Sequence, residues 1–328
     1  MAAFPVPGSR RRIRRTHVIA AWCAMTLCTA AAAPATADGD TTATTATARP
    51  TIVLVHGAFA DASSWNGVVE RLQRRGYTVI APANPLRGLY SDSTYIASVL
   101  DSIKGPIVLV GHSYGGAVIS SAAAGNPRVK SLVYVSALMP DVGESGMSLA
   151  TRFPSELGTA TKSVPYRTGD GGGTDLYLKP DRLRQVFAAD LPESTTKLLA
   201  VTQRPAATTA FSEKARTAAW KHIPSWFLVA KQDRTINPDQ ERFEAKRAGS
   251  HTVEIDSSHV AMIAHPEAVT GLVLQAATAA DAGRPVPAAT GSAPDAPAET
   301  ALTGIASASL FAGAGAVLLG RRLRRPGP

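Results

Sequence analysis

The chain has 328 residues, 45% of them hydrophobic and 18% charged, which is typical of a folded globular protein and argues against a disordered or fibrous one. The formal net charge of +9 lies at the two ends, in five arginines between Arg10 and Arg15 and four between Arg321 and Arg325. Residues 38–320 therefore carry no net charge, and the basic composition gives no argument for a nucleic-acid partner.

The first 37 residues have the organisation of a secretory signal peptide. The arginines precede an apolar stretch from Val18 to Ala33, and residues 35–37 supply the small-x-small pattern that signal peptidase cleaves. Arg14 stands where twin-arginine signals prefer an apolar residue, so Sec and Tat export both stay open. Both cysteines, Cys23 and Cys28, fall in this segment, so no disulfide is expected in the mature protein.

From residue 51 onward, short apolar runs alternate with longer helical stretches, as in a parallel sheet covered by helices on both faces. The runs are rich in Val, Ile and Leu throughout, which predicts strands buried on both sides. Strands are predicted at residues 51–55, 77–81, 107–110, 132–135, 225–229 and 252–255. Helices are predicted near residues 63–75, 91–103, 114–125, 238–248 and 266–278. The sequence thus indicates an α/β domain over residues 51–280, preceded by a Thr/Ala-rich linker at residues 38–50.

The alternation stops between Pro140 and Ala219. About 80 residues between consecutive strands are too many for a simple connection, so a mainly helical cap over the C-terminal edge of the sheet is predicted at about residues 141–219. Helical runs are expected at residues 181–189 and 194–202. No strand leads into the glycine-rich segment 169–173, so it is interpreted as a flexible loop and not as a phosphate-binding motif.

The C-terminal part divides into a linker and an apolar tail. Residues 281–301 are rich in Ala and Pro without periodicity, which predicts an extended linker. The apolar stretch Leu302–Gly320 would be about 28 Å long as a helix, just short of the roughly 30 Å hydrocarbon core of a membrane, and an arginine cluster follows it. The tail resembles the sorting signal of sortase-attached proteins, but Thr300 departs from the usual pentapeptide. A simple membrane anchor and sortase attachment to the cell wall both remain open.

A serine stands between two glycines at the end of a predicted strand. Gly111-His112-Ser113-Tyr114-Gly115 fits the G-x-S-x-G pattern of a nucleophile elbow, in which a strand turns sharply into a helix and the flanking glycines remove side chains that would clash. The motif alone is weak, but its position after a buried strand predicts that Ser113 is a catalytic nucleophile.

A serine nucleophile needs a base and an acid that orients the base. His259 follows the last predicted strand and is the predicted base. His112 adjoins the serine but is expected to point away from the site. Asp233 follows the strand at residues 225–229 and is the predicted acid, with Asp141 as the alternative, whereas Asp256 is too close to His259 in sequence.

The oxyanion of a tetrahedral intermediate requires hydrogen-bond donors. The segment "VHGAFADASSW" follows the first strand and offers the backbone N–H of Ala58. The backbone N–H of Tyr114, directly after the serine, is the predicted second donor.

These motifs carry a family resemblance over residues 51–280. The stretches "LVHGAFADASSW", "LVGHSYGGAVI", "LVYVSALMPDVGES", "VTQRP", "IPSWFLVAKQDRTINP" and "SSHVAMIAHPEAV" resemble the α/β-hydrolases, specifically the small capped group that includes plant hydroxynitrile lyases, methyl esterases and bacterial esterase-like proteins. The resemblance implies a triad of Ser113, Asp233 and His259 with Ala58 and Tyr114 as oxyanion donors. The lyases carry a lysine and a threonine where this chain has Val260 and Gly57, so lyase chemistry is not expected.

Together these features predict a secreted, surface-tethered serine hydrolase that acts on small-molecule esters by acyl transfer. No cofactor or metal is expected, because the sequence holds no metal-spaced His/Cys cluster, Walker loop or dinucleotide fingerprint. Since a fold does not fix a function, the alternatives are a surface-displayed binding protein on a hydrolase scaffold, or a cofactor-free haloperoxidase-like or lyase-like enzyme.

Overall fold

The computed structural model describes residues 49–169 and 171–282. The predicted signal peptide, the linker up to residue 48, the linker beyond residue 282 and the apolar tail lie outside these residues. The strands are β1 (Thr51–Val55), β2 (Val79–Ile80), β3 (Ile107–His112), β4 (Val129–Val135), β5 (Thr161–Thr168), β6 (Gly171–Leu178), β7 (Ala206–Ala207), β8 (Ser225–Ala230) and β9 (His251–Ile255).

Helices are interspersed with these strands along the chain. They are α1 (Asn66–Arg74), α2 (Leu89–Asp101), α3 (Tyr114–Ala122), α4 (Gly146–Arg152), α5 (Leu157–Ala160), α6 (Pro180–Phe187), α7 (Glu193–Thr202), α8 (Thr208–Ser212), α9 (Pro238–Ala248), α10 (Ala261–Ala264) and α11 (Pro266–Ala282), with short 3-10 helices at Ala62–Trp65 and Ala219–Lys221. Helix α11 continues past the predicted domain end at residue 280. No helix in the described part of the chain has both the length and the apolar character that a membrane span needs.

The central sheet is parallel throughout, in the order β2-β1-β3-β4-β8-β9. This confirms the predicted α/β sheet of about six strands. Every residue of β1, β3 and β8 is buried, as the continuous apolar runs predicted. Strand β2 is shorter than predicted because it lies at the sheet edge, where it pairs only with β1 and stays half-buried.

Helices pack on both faces of this sheet. Helix α11 contacts β3, β4 and β8 and packs beside α1, whereas α3 contacts β1, β3 and β4 and packs beside α2. Since all six strands run in the same direction, their carboxyl ends meet at one edge, where ligand sites of such sheets form. The loops after β1, β3, β8 and β9 therefore place Ala58, Ser113, Asp233 and His259 at the same edge.

The cap is mainly helical, as predicted, but it also contains a sheet that the sequence did not predict. Besides α4 to α8, it contains a three-stranded antiparallel sheet in the order β5-β6-β7. Gly171 to Gly173 belong to β6 and are not a flexible loop, while residue 170 lies outside the described residues. A Cβ at Gly172 would lie 2.4 Å from the Tyr166 carbonyl oxygen. The glycines thus allow close pairing across the hairpin, but they supply no side-chain period from which a strand can be predicted.

Candidate active site

Ser113 occupies a strained backbone position between β3 and α3. Its φ of 53° and ψ of −127° are unfavourable for a residue with a side chain and cluster at functional sites. A Cβ at Gly111 would lie 2.6 Å from the Gly115 carbonyl oxygen, and one at Gly115 would lie 2.4 Å from the Val55 carbonyl oxygen. Both glycines are therefore required by the close approach of backbone segments, which is the geometry of the predicted elbow.

Asp233 and His259 form a fully buried pair. The distance from His259 Nδ1 to Asp233 Oδ2 is 2.5 Å, and neither side chain is exposed. Asp233 Oδ1 accepts the backbone N–H groups of Thr235 at 2.6 Å and Ile236 at 3.0 Å. These contacts fix the carboxylate so that Nδ1–H of the imidazole donates to it, which leaves Nε2 as the basic nitrogen.

His259 Nε2 is buried and has no hydrogen-bond partner among the described residues. No hydrogen bond joins it to Ser113 Oγ in the structure. The structure thus places Ser113 at the same sheet edge as the Asp233–His259 pair, with an unpartnered base nitrogen in that pair.

The other carboxylates near the sheet edge have different partners. Asp141 pairs with Lys221 at 2.5 Å, and Asp256 is 73% exposed and pairs with Lys231 at 3.0 Å. The guanidinium of Arg234 lies 3.4 Å from the Glu156 carboxylate. Of the two carboxylates predicted as the acid, the structure brings only Asp233 to His259.

One predicted oxyanion donor shares a cavity with the serine, and the other follows it directly in the chain. Ala58 and Ser113 both line the same cavity, and Tyr114 is the first residue of α3, where backbone N–H groups have no partner within the helix. The Tyr114 side chain points elsewhere, because its hydroxyl donates to Asp92 Oδ2 at 2.8 Å. Burial and the Asp92 charge raise the pKa of Tyr114 well above its usual range. Tyr114 can therefore serve the site through its backbone only.

His112 does not point away from the site as predicted but lies against His259. Its Nε2 donates to the His259 backbone oxygen at 3.0 Å, and the two rings lie 4.7 Å apart. Burial lowers the pKa of His112 well below its usual range, so the ring supports His259 as a neutral donor. Its position inside the G-x-S-x-G motif was the available signal, but only the fold shows that it meets the loop after β9.

Gly57 lies directly against the serine. A Cβ at this position would come 2.5 Å from Ser113 Cβ and 3.1 Å from Ser113 Oγ. A threonine, as in the lyases that the sequence resembles, would require this backbone or the serine to shift. Val260, the other position that differs from the lyases, is fully buried. Of these two positions, Gly57 is the one that the structure places against the serine.

An apolar cavity of about 310 Å³ opens at Ser113. Its walls combine core loops with cap residues, among them Phe59, Leu138, Met147, Leu176 and Phe211. None of the described residues that line it carries a charge. The cavity has the size and character of a site for a small neutral molecule. Within residues 49–169 and 171–282, no group of three or more His, Cys, Asp and Glu side chains is arranged to hold a metal ion.

A model of the alpha/beta hydrolase family matches residues 52–272. The chain belongs to this family. This alpha/beta hydrolase is 26% identical over 253 residues to an alpha/beta hydrolase of Aspergillus novofumigatus and 25% identical over 257 residues to methylesterase 17 of Arabidopsis thaliana. Each alignment covers 70% of this chain, with 97% of the fungal and 91% of the plant relative.

The fold is also shared with solved structures. The crystal structure of polyneuridine aldehyde esterase superimposes with a TM-score of 0.61 at 20% identity, covering 69% of this chain and 98% of that one. The family match and the sequence relatives make the protein an esterase-like alpha/beta hydrolase. The predicted resemblance to the group of plant methyl esterases and hydroxynitrile lyases is confirmed.

Proposed function

We propose that this alpha/beta hydrolase is a serine esterase in which Ser113 is the nucleophile, His259 the general base and Asp233 the residue that orients the base. The observation that carries the proposal is the buried hydrogen bond between His259 and Asp233, which leaves Nε2 unpartnered at the sheet edge that also holds Ser113. The uncharged cavity beside Ser113 supports a small neutral ester as the substrate.

Acylation of the serine is the first half of the proposed reaction. Ser113 Oγ attacks the ester carbonyl carbon while its proton passes to His259 Nε2, and Asp233 stabilises the resulting imidazolium. The backbone N–H groups of Ala58 and Tyr114 hold the negative oxygen of the tetrahedral intermediate. The C–O bond to the alcohol then breaks, and the alcohol leaves with the proton from His259.

Deacylation reverses these roles. A water molecule takes the place of the alcohol, gives its proton to His259 Nε2 and attacks the acyl carbonyl carbon. The second intermediate collapses by breaking the bond to Ser113 Oγ, which recovers its proton from the imidazolium. The acid product then leaves the cavity and the enzyme returns to its starting state.

Ser113→Ala provides the test of this proposal. The variant is expected to fold normally, to lose hydrolysis of a short p-nitrophenyl ester and to lose labelling by a fluorophosphonate probe, because His259 then has no hydroxyl to activate. Wild-type protein that folds but takes no label would favour the non-catalytic binding protein instead. Turnover by Ser113→Ala close to that of the wild type would reject the nucleophile.

We also propose that the enzyme is exported and held at the cell surface. The support is compositional and lies outside the described residues: arginines before an apolar segment at the N-terminus, and an apolar segment before arginines at the C-terminus. The tail would be either a membrane anchor or a substrate of sortase that ends in the cell wall. These two forms differ in the mature C-terminus, which makes them separable by experiment.

A further inference from the structure

The loop after β1 presents a free backbone donor beside the serine. Ala58 lines the cavity at Ser113, and its N–H makes no backbone hydrogen bond within the described residues. The next N–H along the loop, that of Phe59, donates to the Arg204 carbonyl oxygen at 3.0 Å. The N–H of Ala58 can therefore serve an oxyanion if another contact fixes the direction in which it points.

The side chain of His56 makes such a contact one residue away. His56 is fully buried, and the backbone N–H of Asn84 donates to its Nε2 at 2.9 Å. Because a ring nitrogen that accepts a hydrogen bond carries no proton, the neutral ring holds its proton on Nδ1. Nδ1 lies 2.9 Å from the Gly57 carbonyl oxygen and therefore donates to it.

The surroundings of His56 keep the ring in this form. The side-chain amide of Asn84, which is also fully buried, donates to the His56 backbone oxygen at 3.0 Å. Burial lowers the pKa of His56 to about 4, so the ring is neutral at neutral pH. A second proton would have to sit on Nε2, where the Asn84 N–H already points. Both ring nitrogens of His56 are thus bonded to fixed backbone groups.

The Gly57 carbonyl and the Ala58 N–H belong to one peptide group. A trans peptide is planar, so its C=O and N–H point in opposite directions. A donor that holds the Gly57 oxygen therefore also holds the direction of the Ala58 N–H. The same hydrogen bond polarises the peptide group and strengthens its N–H as a donor.

We propose that His56 is a positioning residue, which fixes the Gly57 carbonyl and thereby aims the Ala58 N–H at the oxyanion that forms on Ser113. The inference rests on the proposed function. The negative charge on the ester oxygen develops only during attack by the serine, so a misdirected N–H weakens the transition state and not the binding of the ester. His56 therefore acts on kcat and leaves KM unchanged.

His56→Asn and His56→Gln form a matched pair for the test. The amide of asparagine can occupy the position of Nδ1 and still donate to Gly57, whereas the amide of glutamine reaches the position of Nε2 and can only replace the acceptor for Asn84. With a p-nitrophenyl ester, kcat of His56→Gln is expected to fall about 10²-fold at unchanged KM, as when a weak oxyanion donor is removed. His56→Asn should retain most of the wild-type kcat.

A trifluoromethyl ketone and its corresponding alcohol supply a second readout. Ser113 Oγ adds to the ketone carbon while its proton passes to His259 Nε2, and the ketone oxygen becomes an oxyanion. The alcohol has no carbonyl group to attack. In His56→Gln the inhibition constant of the ketone should rise about 10²-fold, and that of the alcohol should stay at the wild-type value. A merely structural role of His56 would weaken the binding of both compounds.

The tautomer of His56 is measurable in the wild type alone, by nitrogen-15 NMR of protein with labelled histidines. The Nδ1–H form is expected, and the Nε2–H form would overturn the inference even if neither variant folds. Equal losses of kcat in His56→Asn and His56→Gln, or a wild-type kcat in His56→Gln, would overturn it as well. Activity retained in Ser113→Ala would instead overturn the serine mechanism on which the inference rests.

Discussion

At the scale of single residues, the sequence left two candidates for the acid, and the structure brings one of them into contact with His259. Asp233 and Asp141 both follow predicted strands, and their positions in the sequence do not show which of them contacts the histidine. The turn after β8 gives Asp233 two backbone N–H donors and the imidazole of His259. Asp141 lies beside Lys221 instead. The carboxylate that orients His259 should therefore be Asp233 alone.

Asp233→Asn is expected to lower kcat by a factor on the order of 10⁴, because an amide N–H facing Nδ1 favours the wrong imidazole tautomer. Asp141→Asn should change kcat little, since it removes only a partly exposed ion pair with Lys221. Steady-state hydrolysis of a p-nitrophenyl ester by both variants checks the ranking. The reverse ranking would transfer the role to Asp141.

At the scale of elements, the end of α6 joins the cap to the loops that carry Asp233 and His259. The Val186 carbonyl oxygen accepts from Thr235 Oγ1 at 2.9 Å, two residues after Asp233. The Phe187 ring lies 5.1 Å from the His259 ring. Asp190 Oδ2 accepts the backbone N–H of Ser258 at 2.9 Å, and Asp190 Oδ1 is bonded to the Ser258 hydroxyl. This part of the cap is therefore fixed to the loop that carries His259.

Asp190→Ala is expected to lower kcat by about ten- to a hundredfold, because a small displacement of the loop that carries His259 misplaces the proposed base. KM should stay close to the wild-type value, because Asp190 does not line the cavity. The control is Arg182→Ala, which removes an ion pair within the cap. The Arg182 guanidinium lies 3.0 Å from the Glu156 carboxylate, and each side chain is about a third exposed. An equal loss of kcat in the control, or a change confined to KM, would contradict a specific effect on His259.

At the scale of the whole molecule, the folded domain and the terminal segments proposed to hold it at the cell surface occupy different parts of the chain. Helix α11 packs on β3, β4 and β8 and extends to Ala282, the last of the described residues; the proposed tether lies beyond it in the chain. The apolar tail at residues 302–320 should then act only as a tether. Location and catalysis are expected to be separable by truncation.

A chain truncated after Ala282 should appear in the medium as active hydrolase, while the full-length chain stays with the cells. Mass spectrometry of the cell-bound form distinguishes the two tethers. Cleavage between Thr303 and Gly304 with resistance to detergent indicates sortase attachment, and a retained tail with detergent solubility indicates a membrane anchor. Full-length enzyme found free in the medium would contradict both.

The sequence by itself determined the α/β fold, the six central strands and the candidate residues Ser113, His259 and Asp233. These features are encoded locally, as apolar runs of strand length and as glycines at fixed distances from a serine. The cap sheet escaped prediction because the glycines of β6 carry no side-chain period. Two contacts were decided only by the tertiary structure: His259 bonds to Asp233 and not to Asp141, and His112 donates to the His259 backbone oxygen. Each joins residues from different loops or helices, and no pattern along the chain records which of them the parallel sheet brings together at one edge.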